Sequence, residues 1–146
     1  MTTPAMEEPE PTDQRPDLPL EGGDDVLRIL VSIANKHALN MGITLNLGGS
    51  LVSGTLVSLK TYSGGVADSI RAANGHEDVN AALARLFEDL GGDAEDETEP
   101  PPPRHIHLRD ARLIAPNGGL GPSSPWWRGR ISAVSGWTMG SAEIDD

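Results

Sequence analysis

The sequence predicts an α+β fold in which an N-terminal helix precedes a small five-stranded antiparallel barrel with a helical insertion between its second and third strands. A helical period over 24–39 is followed by two alternating segments joined by a pair of glycines, which is typical of a β-hairpin. Helical spacing returns over 63–90, and alternation resumes from residue 104. Three of the five aromatic residues lie in the last alternating segment, so we place it in the core; they are Trp126, Trp127 and Trp137.

The first helix is indicated by a cap, a period and a stop signal. Asp24 or Asp25 offers a side-chain oxygen to the first backbone N–H groups, and Asn40 and Gly42 end the pattern. The apolar positions that define its period of about 3.6 residues are Val26, Ile29, Leu30, Ile33 and His37.

The hairpin follows directly. Ile43, Leu45 and Leu47 alternate with polar residues, Gly48 and Gly49 supply a tight turn, and a second strand covers 51–59. Within that strand the apolar residues change face around Gly54, where a missing side chain permits a bend or a bulge. The residues on the two faces are Val52 and Leu56 on one, and Val57 and Leu59 on the other.

The insertion is predicted to form two short helices or one broken helix over 63–90, interrupted at Asn74 and Gly75. Its periodic apolar positions are Val66, Ile70, Ala73, Val79, Leu83, Leu86 and Leu90.

Strand patterning resumes over 104–114, where Ile106 and Leu108 share one face and His105 and His107 the other. A loop rich in glycine and proline, PNGGLGPSSP, leads into the tryptophan segment, and SAVSG is expected to form a tight turn before the last strand. Alternation in the tryptophan segment places Trp127, Ile131 and Ala133 on one face, opposite Arg128 and Arg130.

The acidic residues are concentrated outside the foldable part. The chain of 146 residues has a formal net charge of −11, yet residues 1–25 and 91–99 together carry −12, which leaves the rest near +1. We therefore predict a disordered acidic arm over 1–23, one domain over 24–142 with an acidic, proline-rich linker at 91–103, and an acidic tail at 143–146. The acidic stretches either solubilise the protein or meet a basic partner.

The composition also narrows the class of protein. The absence of cysteine excludes disulfides and thiolate metal sites and fits a reducing compartment. The first residues lack the basic start and apolar stretch of a secretory signal, and no run reaches the roughly 20 apolar residues of a membrane helix. We expect a soluble cytoplasmic protein that does not bind a membrane.

No catalytic constellation is evident. The sequence contains no G-x-x-x-x-G-K-[ST] phosphate loop, no H-E-x-x-H and no G-x-S-x-G. His105 and His107 project from one face of a strand, but two histidines make an incomplete metal site, and we interpret them as solvent-facing or satisfied. His37 is interpreted as a packed helix-end residue and His76 as a loop or cap residue. We expect no catalytic residue, cofactor or metal.

A partner-binding site is the remaining candidate, formed by Trp126, Arg128 and Arg130. The simpler interpretation makes Trp127 and Trp137 core residues and the arginines a solvated face. The alternative is a protein interface, because exposed Trp and Arg dominate binding hot spots, with Trp126 as the exposed anchor. The unpaired strand edges of an open barrel further suggest a homo-oligomer.

The outline of a helix followed by five short bent strands resembles an SH3-like or Sm-like barrel. The stretch LVSGTLVSLKTYSGG has the shape of the first Sm signature. However, the RNA-contacting aspartate and asparagine of the Sm family would fall near Lys60 and Ser63, so the RNA site does not carry over. An Sm-like RNA-binding or scaffold module stays open as an alternative, and a small hydrolase or metal enzyme is a weaker one.

The blocks taken in order resemble the gas vesicle accessory protein GvpU family. They are SIANKHALNMGITLNLGGSLVSGTLVSLKTY, HIHLRDARLI and WWRGRISAVSGWTMGS. The similarity covers 26–62 and 104–142, whereas the helical insertion matches only in character and the acidic arms do not match. The resemblance implies a non-enzymatic cytoplasmic protein that binds vesicle shell or accessory proteins and influences vesicle assembly, interaction or clustering. The resemblance supplies no catalytic residues. We expect no nucleic-acid partner, because the Sm signature residues are missing and the net charge is negative.

Overall fold

Three helices and five strands make up the described part of the chain, which a computed structural model gives for residues 22–92 and 99–142. In chain order they are α1 (Asp25–His37), β1 (Met41–Leu47), β2 (Ser50–Val57), α2 (Leu59–Ala72), α3 (Glu77–Leu90), β3 (His105–Ile114), β4 (Leu120–Arg130), a 3₁₀ turn (Ile131–Ala133) and β5 (Gly136–Met139). Most of the predicted acidic arm, part of the linker and the acidic tail lie outside the described residues, so the predicted domain limits stay a prediction.

The five strands form one antiparallel sheet in the order β4-β3-β2-β1-β5. The α+β class and the five antiparallel strands are therefore confirmed. The predicted barrel is not, because the sheet is open: among the described strands, β4 and β5 lie at its two ends, β4 paired with β3 and β5 with β1.

The glycine hairpin is confirmed in detail. Gly48 and Gly49 have φ angles of 71° and 115°, a left-handed conformation that side-chain-bearing residues rarely adopt. The register between β2 and β3 shifts at Gly54, where two residues of β3, Asp110 and Ala111, face this one residue of β2. The sequence indicated a bend or bulge at this level, but the extra residue lies in β3, where Asp110 has a positive φ of 55°.

One face of the sheet carries the apolar core, which α1 covers. Asp24 begins the helix by accepting hydrogen bonds from the backbone N–H groups of Val26 and Leu27, at 2.8 and 3.1 Å. The Arg28 side chain links α1 to the segments that precede α1 and β3. Its Nη2 donates to the Gly22 carbonyl oxygen and its Nε to the Pro103 carbonyl oxygen. The buried core consists of Leu27, Val31, Ala34, Ile43, Leu45, Val52, Leu56, Ile106, Leu108, Ala111, Ile131 and Val134.

Most of the residues that set the predicted period of α1 do not lie in this core. Val26, Ile29 and Ile33 are 57%, 56% and 41% exposed, and His37 is exposed rather than packed. The helix carries apolar residues on two adjacent faces. The Asp24 cap and the bonds of Arg28 turn the Leu27–Val31 face toward the sheet.

The second face of the sheet is covered by α2, and α3 packs on α2. The sequence left two short helices or one broken helix as alternatives for the insertion; the structure has two helices, and the first begins earlier than predicted. The Ser58 hydroxyl accepts from the Thr61 N–H at 3.0 Å and caps α2, so β2 ends at Val57 and Leu59 is helical. Tyr62, Ser63 and Ala67 of α2 are buried, whereas Ala84 is the fully buried residue of α3.

The segment predicted as a loop before the tryptophans is largely strand. β4 begins at Leu120 and includes Pro122 and Pro125, which an edge strand tolerates because its outer side needs no backbone donor. After β4, the turn expected at SAVSG is a 3₁₀ turn, which places Ile131 and Val134 inward. Ala133, expected on the inner face, is exposed for the same reason.

Candidate functional site

Trp126 and Trp127 point to opposite faces of edge strand β4, as the alternation predicted. Trp127 packs on the core together with Trp137, whose Nε1 donates to Asp24 Oδ2 at 3.1 Å. Trp126 instead lies under α2. Its ring is half-buried, touches the backbone of Gly65 and meets Tyr62 edge-on with ring centroids 6.4 Å apart. Trp126 is thus a partly covered residue and not the fully exposed anchor that the sequence suggested.

His107 lies beside Tyr62 in the same layer. The two rings are tilted, with centroids 4.5 Å apart, and only 3% of His107 is exposed. Arg128 faces it across the β3–β4 pair, and Arg128 Nη1 lies 3.2 Å from His107 Nε2. A guanidinium can only donate, so His107 is neutral with its proton on Nδ1. Nδ1 and the Ser63 hydroxyl are buried without a hydrogen-bond partner in the described structure.

Electrostatics in this layer favour neutral histidines. Burial, then the charge of Arg128 and then His105 lower the pKa of His107 to about 3. Burial also lowers the pKa of His105, helped by Arg128, Arg130 and Arg104. Burial raises the pKa of Tyr62, against the opposing effect of Arg128. A guanidinium at Nε2 also occupies the direction from which His107 would bind a metal.

The three residues predicted to bind a partner are placed together. Trp126, Arg128 and Arg130 share one face of β4, and both arginines are exposed at the sheet edge. Arg130 pairs in register with His105, and Arg128 with His107. The structure therefore forms a short basic edge beside a half-buried indole, which we call the β4 edge. Its role in binding stays a prediction.

Other kinds of site find little support in the described residues. Within 22–92 and 99–142, no group of three or more His, Cys, Asp or Glu side chains could hold a metal ion. Ser63, near the position of the Sm asparagine, is 1% exposed and cannot contact RNA. His76 lies at the N-cap position of α3 without a side-chain cap bond.

Two helices carry rows of exposed aliphatic side chains. The sequence predicted the helices from these residues but did not predict that the residues are exposed. The first row, called the α1 stripe, consists of Val26, Ile29 and Ile33. The second, called the α3 stripe, consists of Val79, Leu83, Leu86 and Leu90, with exposures of 54%, 44%, 61% and 40%. Helical spacing identified both rows, but the same spacing describes a face toward a core and a face toward a partner. Contiguous exposed aliphatic residues of this kind mark interaction surfaces.

None of the helices in the described ranges is both long and apolar enough to cross a membrane.

Comparison with known proteins identifies one family. A family model described as "Gas vesicle protein GvpU-like" matches residues 24–142. The search of curated proteins finds no match. The family resemblance stated from the sequence blocks is thereby confirmed, and the match also spans the helical insertion.

Proposed function

Because the chain belongs to the GvpU-like family of gas vesicle proteins, we propose that it is a non-enzymatic accessory protein of the vesicle. In this proposal it acts in the cytoplasm, binds a vesicle shell protein or another vesicle protein, and influences how vesicles assemble, interact or cluster. The β4 edge is the surface that carries the proposal. It combines the residue types that dominate protein-binding hot spots, Trp and Arg, on one exposed strand edge.

The geometry of the edge favours a protein partner. None of the described strands pairs with the outer side of β4, so its backbone groups there are available to a strand or loop of another chain. His107 of the neighbouring strand β3 holds the Arg128 guanidinium in place, so this side chain loses less freedom on binding than a fully mobile arginine would lose. Trp126 is fixed by α2 and adds apolar area next to the charges.

A binding role also agrees with the chemistry of the buried polar groups. His107 is neutral because its pKa lies far below the usual value for histidine, and Arg128 contacts its Nε2. A general base needs a pKa near the working pH and access to a substrate proton, and His107 has neither. The histidine therefore supports the position of Arg128 instead of transferring protons.

Flotation with purified gas vesicles tests the proposal. Gas-filled vesicles rise on centrifugation and carry bound protein to the surface layer, which is quantified by immunoblot. We expect the wild-type protein to float and the double variant Arg128→Glu/Arg130→Glu to lose most of the floating fraction. Lys60→Glu is a single-charge control, to be compared also with Arg128→Glu alone, because it reverses an exposed cation on α2 that is not part of the β4 edge as defined.

Circular dichroism of each variant establishes that it is folded before flotation. A wild-type protein that stays in the lower layer at all concentrations would refute vesicle binding. Equal flotation of wild-type protein and the double variant would retain the function but exclude the β4 edge as its surface.

A further inference from the structure

The helices that carry the α1 stripe and the α3 stripe lie on opposite sides of the sheet. α1 packs on the sheet face that contains Leu56 and Leu108. α2 packs on the other face, where Val57 pairs with His107 beside Tyr62, and α3 lies on the outside of α2. A single copy of the domain therefore cannot bury one stripe against the other.

The charges at the ends of the two stripes are complementary. Lys36 and His37 occupy the last turn of α1, beginning three positions after Ile33, and both are exposed. Glu77 and Asp78 occupy the first turn of α3, directly before Val79. An antiparallel arrangement of the two helices brings the basic last turn of α1 next to the acidic first turn of α3. It also places the negative end of the α1 dipole next to the positive end of α3.

The alternatives among copies of this chain are less favourable. α3 carries four acidic residues against Arg85, so two α3 helices facing each other repel. Two α1 helices facing each other would leave the α3 stripe of each copy in water. Pairing α1 with α3 covers both stripes and brings opposite charges together at one end. At the other end Asp25 approaches Glu88 and Asp89, but Asp25 and Glu88 are already paired within the chain with Arg28 and Arg71.

We propose that copies of this chain associate head to tail, with the α1 stripe of one copy packed antiparallel against the α3 stripe of the next. The interface is heterologous, because different surfaces of the two copies meet. A chain of copies therefore has an uncovered α1 stripe at one end and an uncovered α3 stripe at the other, and a further copy can bind at each. Contacts of this type form open chains unless the rotation closes a ring. The inference is independent of vesicle binding, because it depends on surfaces away from the β4 edge.

Each contact in such a chain is weak. The two stripes supply seven aliphatic side chains in all, whereas a stable interface buries roughly 20–30 residues a side. Assembly should therefore depend steeply on concentration, with growth from monomer to multimers over the range of about ten to several hundred micromolar, an order-of-magnitude range based on the small contact.

Sedimentation velocity of the full chain tests the proposal. We expect the weight-average mass of the wild type to rise at least twofold across that concentration range. Ile29→Asp in the α1 stripe and Leu86→Asp in the α3 stripe should each stay monomeric, since each removes one side of every contact. Leu120→Asp is the matched control, because Leu120 is 52% exposed on β4, outside both stripes, and this variant should assemble like the wild type.

Mixing the two variants gives the distinguishing result. Ile29→Asp keeps an intact α3 stripe and Leu86→Asp keeps an intact α1 stripe, so an equimolar mixture should form heterodimers and stop there. An interface of α1 with α1 would instead leave Leu86→Asp assembling normally, and an interface of α3 with α3 would leave Ile29→Asp assembling normally. Either result overturns the proposal, as does a wild type that is strictly monomeric throughout.

A charge exchange provides a second measurement that does not alter the aliphatic residues. Lys36→Glu should weaken assembly several-fold, and Asp78→Lys in the same chain should restore part of it. If Asp78→Lys weakens assembly further, the antiparallel arrangement is wrong.

Discussion

At the residue scale, the layer between α2 and the sheet depends on two small contacts that the sequence does not reveal. Gly65 makes room for the Trp126 ring, and a Cβ at this position would overlap that ring. His107 is buried as a neutral side chain between Tyr62 and Arg128. Both contacts hold the β4 edge in place, so changes at either residue affect stability and the proposed partner surface together.

Gly65→Ala should destabilise the protein by about 1–3 kcal/mol, the usual cost of overfilling a packed site. The added methyl group overlaps Trp126 and must displace the indole or α2. Gly64→Ala, in the same helix, is the control, because a Cβ at Gly64 would have no contact within 4 Å. It should stabilise α2 by about 0.5–1 kcal/mol. Urea unfolding followed by tryptophan fluorescence measures both, and equal effects would exclude the described packing.

The buried histidine predicts an acid-labile fold. The pKa of His107 falls from 6.5 to about 3 in the folded state, so between these values the unfolded chain binds the proton and the folded chain does not. Stability is therefore complete above pH 6.5 and falls as the pH drops toward 3, by at most about 1.4 kcal/mol per pH unit for one proton. The lowered pKa of His105 acts in the same direction.

His107→Leu should remove the larger part of this pH dependence, since leucine has no proton to bind. The free energy of unfolding is measured in urea at pH 7.5, 6 and 5 for the wild type and the variant. His37→Gln, at an exposed histidine, is the control for the loss of an imidazole outside this layer. A slope unaffected by His107→Leu would show that other groups govern acid unfolding.

At the scale of elements, β2 and β3 are shaped by a bulge. Gly54 lies where the register between the strands shifts, opposite Asp110 with its positive φ. The alternation of β2 places Val52 and Leu56 in the core below α1 and Val57 on the opposite face, toward the α2 layer. The strand is thus buried on both faces, and the close approach of β3 at the bulge leaves no room for a side chain at Gly54.

Gly54→Ala should therefore disturb the whole β2–β3 pair. A Cβ at Gly54 would lie 3.0 Å from the Arg109 carbonyl oxygen and 3.1 Å from Ala111 Cα, both backbone atoms that cannot move alone. We expect a loss of about 1–3 kcal/mol and faster amide exchange in β3. Gly136→Ala in β5 meets nothing within 4 Å and is the control. Comparable losses in the two variants would mean that the bulge is not tightly packed.

At the scale of the whole molecule, charge and structure are separated along the chain. The two stretches 1–25 and 91–99 hold a charge of −12, while the remainder is near neutral. The contacts that fix the start of α1 begin at Gly22, whose carbonyl accepts from Arg28, and at Asp24. The described part of the chain thus carries the capping groups of α1, and a role of the acidic arm in solubility or binding stays a prediction.

Deletion of residues 1–21 should leave the thermal midpoint within about 2 °C of the full chain, because the groups that cap α1 are kept. A loss of about 1 kcal/mol in the free energy of unfolding would shift the midpoint by more than this. If the arm meets basic partners, the deletion should reduce vesicle flotation at low salt and have little effect at high salt, where charge is screened. Flotation that is unchanged at both salt concentrations would assign the arm to solubility alone.

Much of the fold was predictable because it depends on local signals. The Asp24 cap, the Gly48–Gly49 turn, the break after α2 and the alternation of Ile106 and Leu108 each act within a few residues. The start of α2 was missed because the apolar run of β2 continues into the helix, although Ser58 offered a cap signal. The sequence did not predict a strand over 120–125, because Pro122 and Pro125 disfavour a strand unless it lies at the edge of a sheet.

The sequence by itself determined the order of helices and strands, the family, and the gathering of Trp126, Arg128 and Arg130 on one strand face, because caps, turns and alternation are short-range properties. Only the tertiary structure decided that the sheet is open and that α1 and α3 turn aliphatic stripes to water. The physical reason is that a helical period fixes the relative directions of side chains on a helix. The direction that faces a core depends on the elements packed against it.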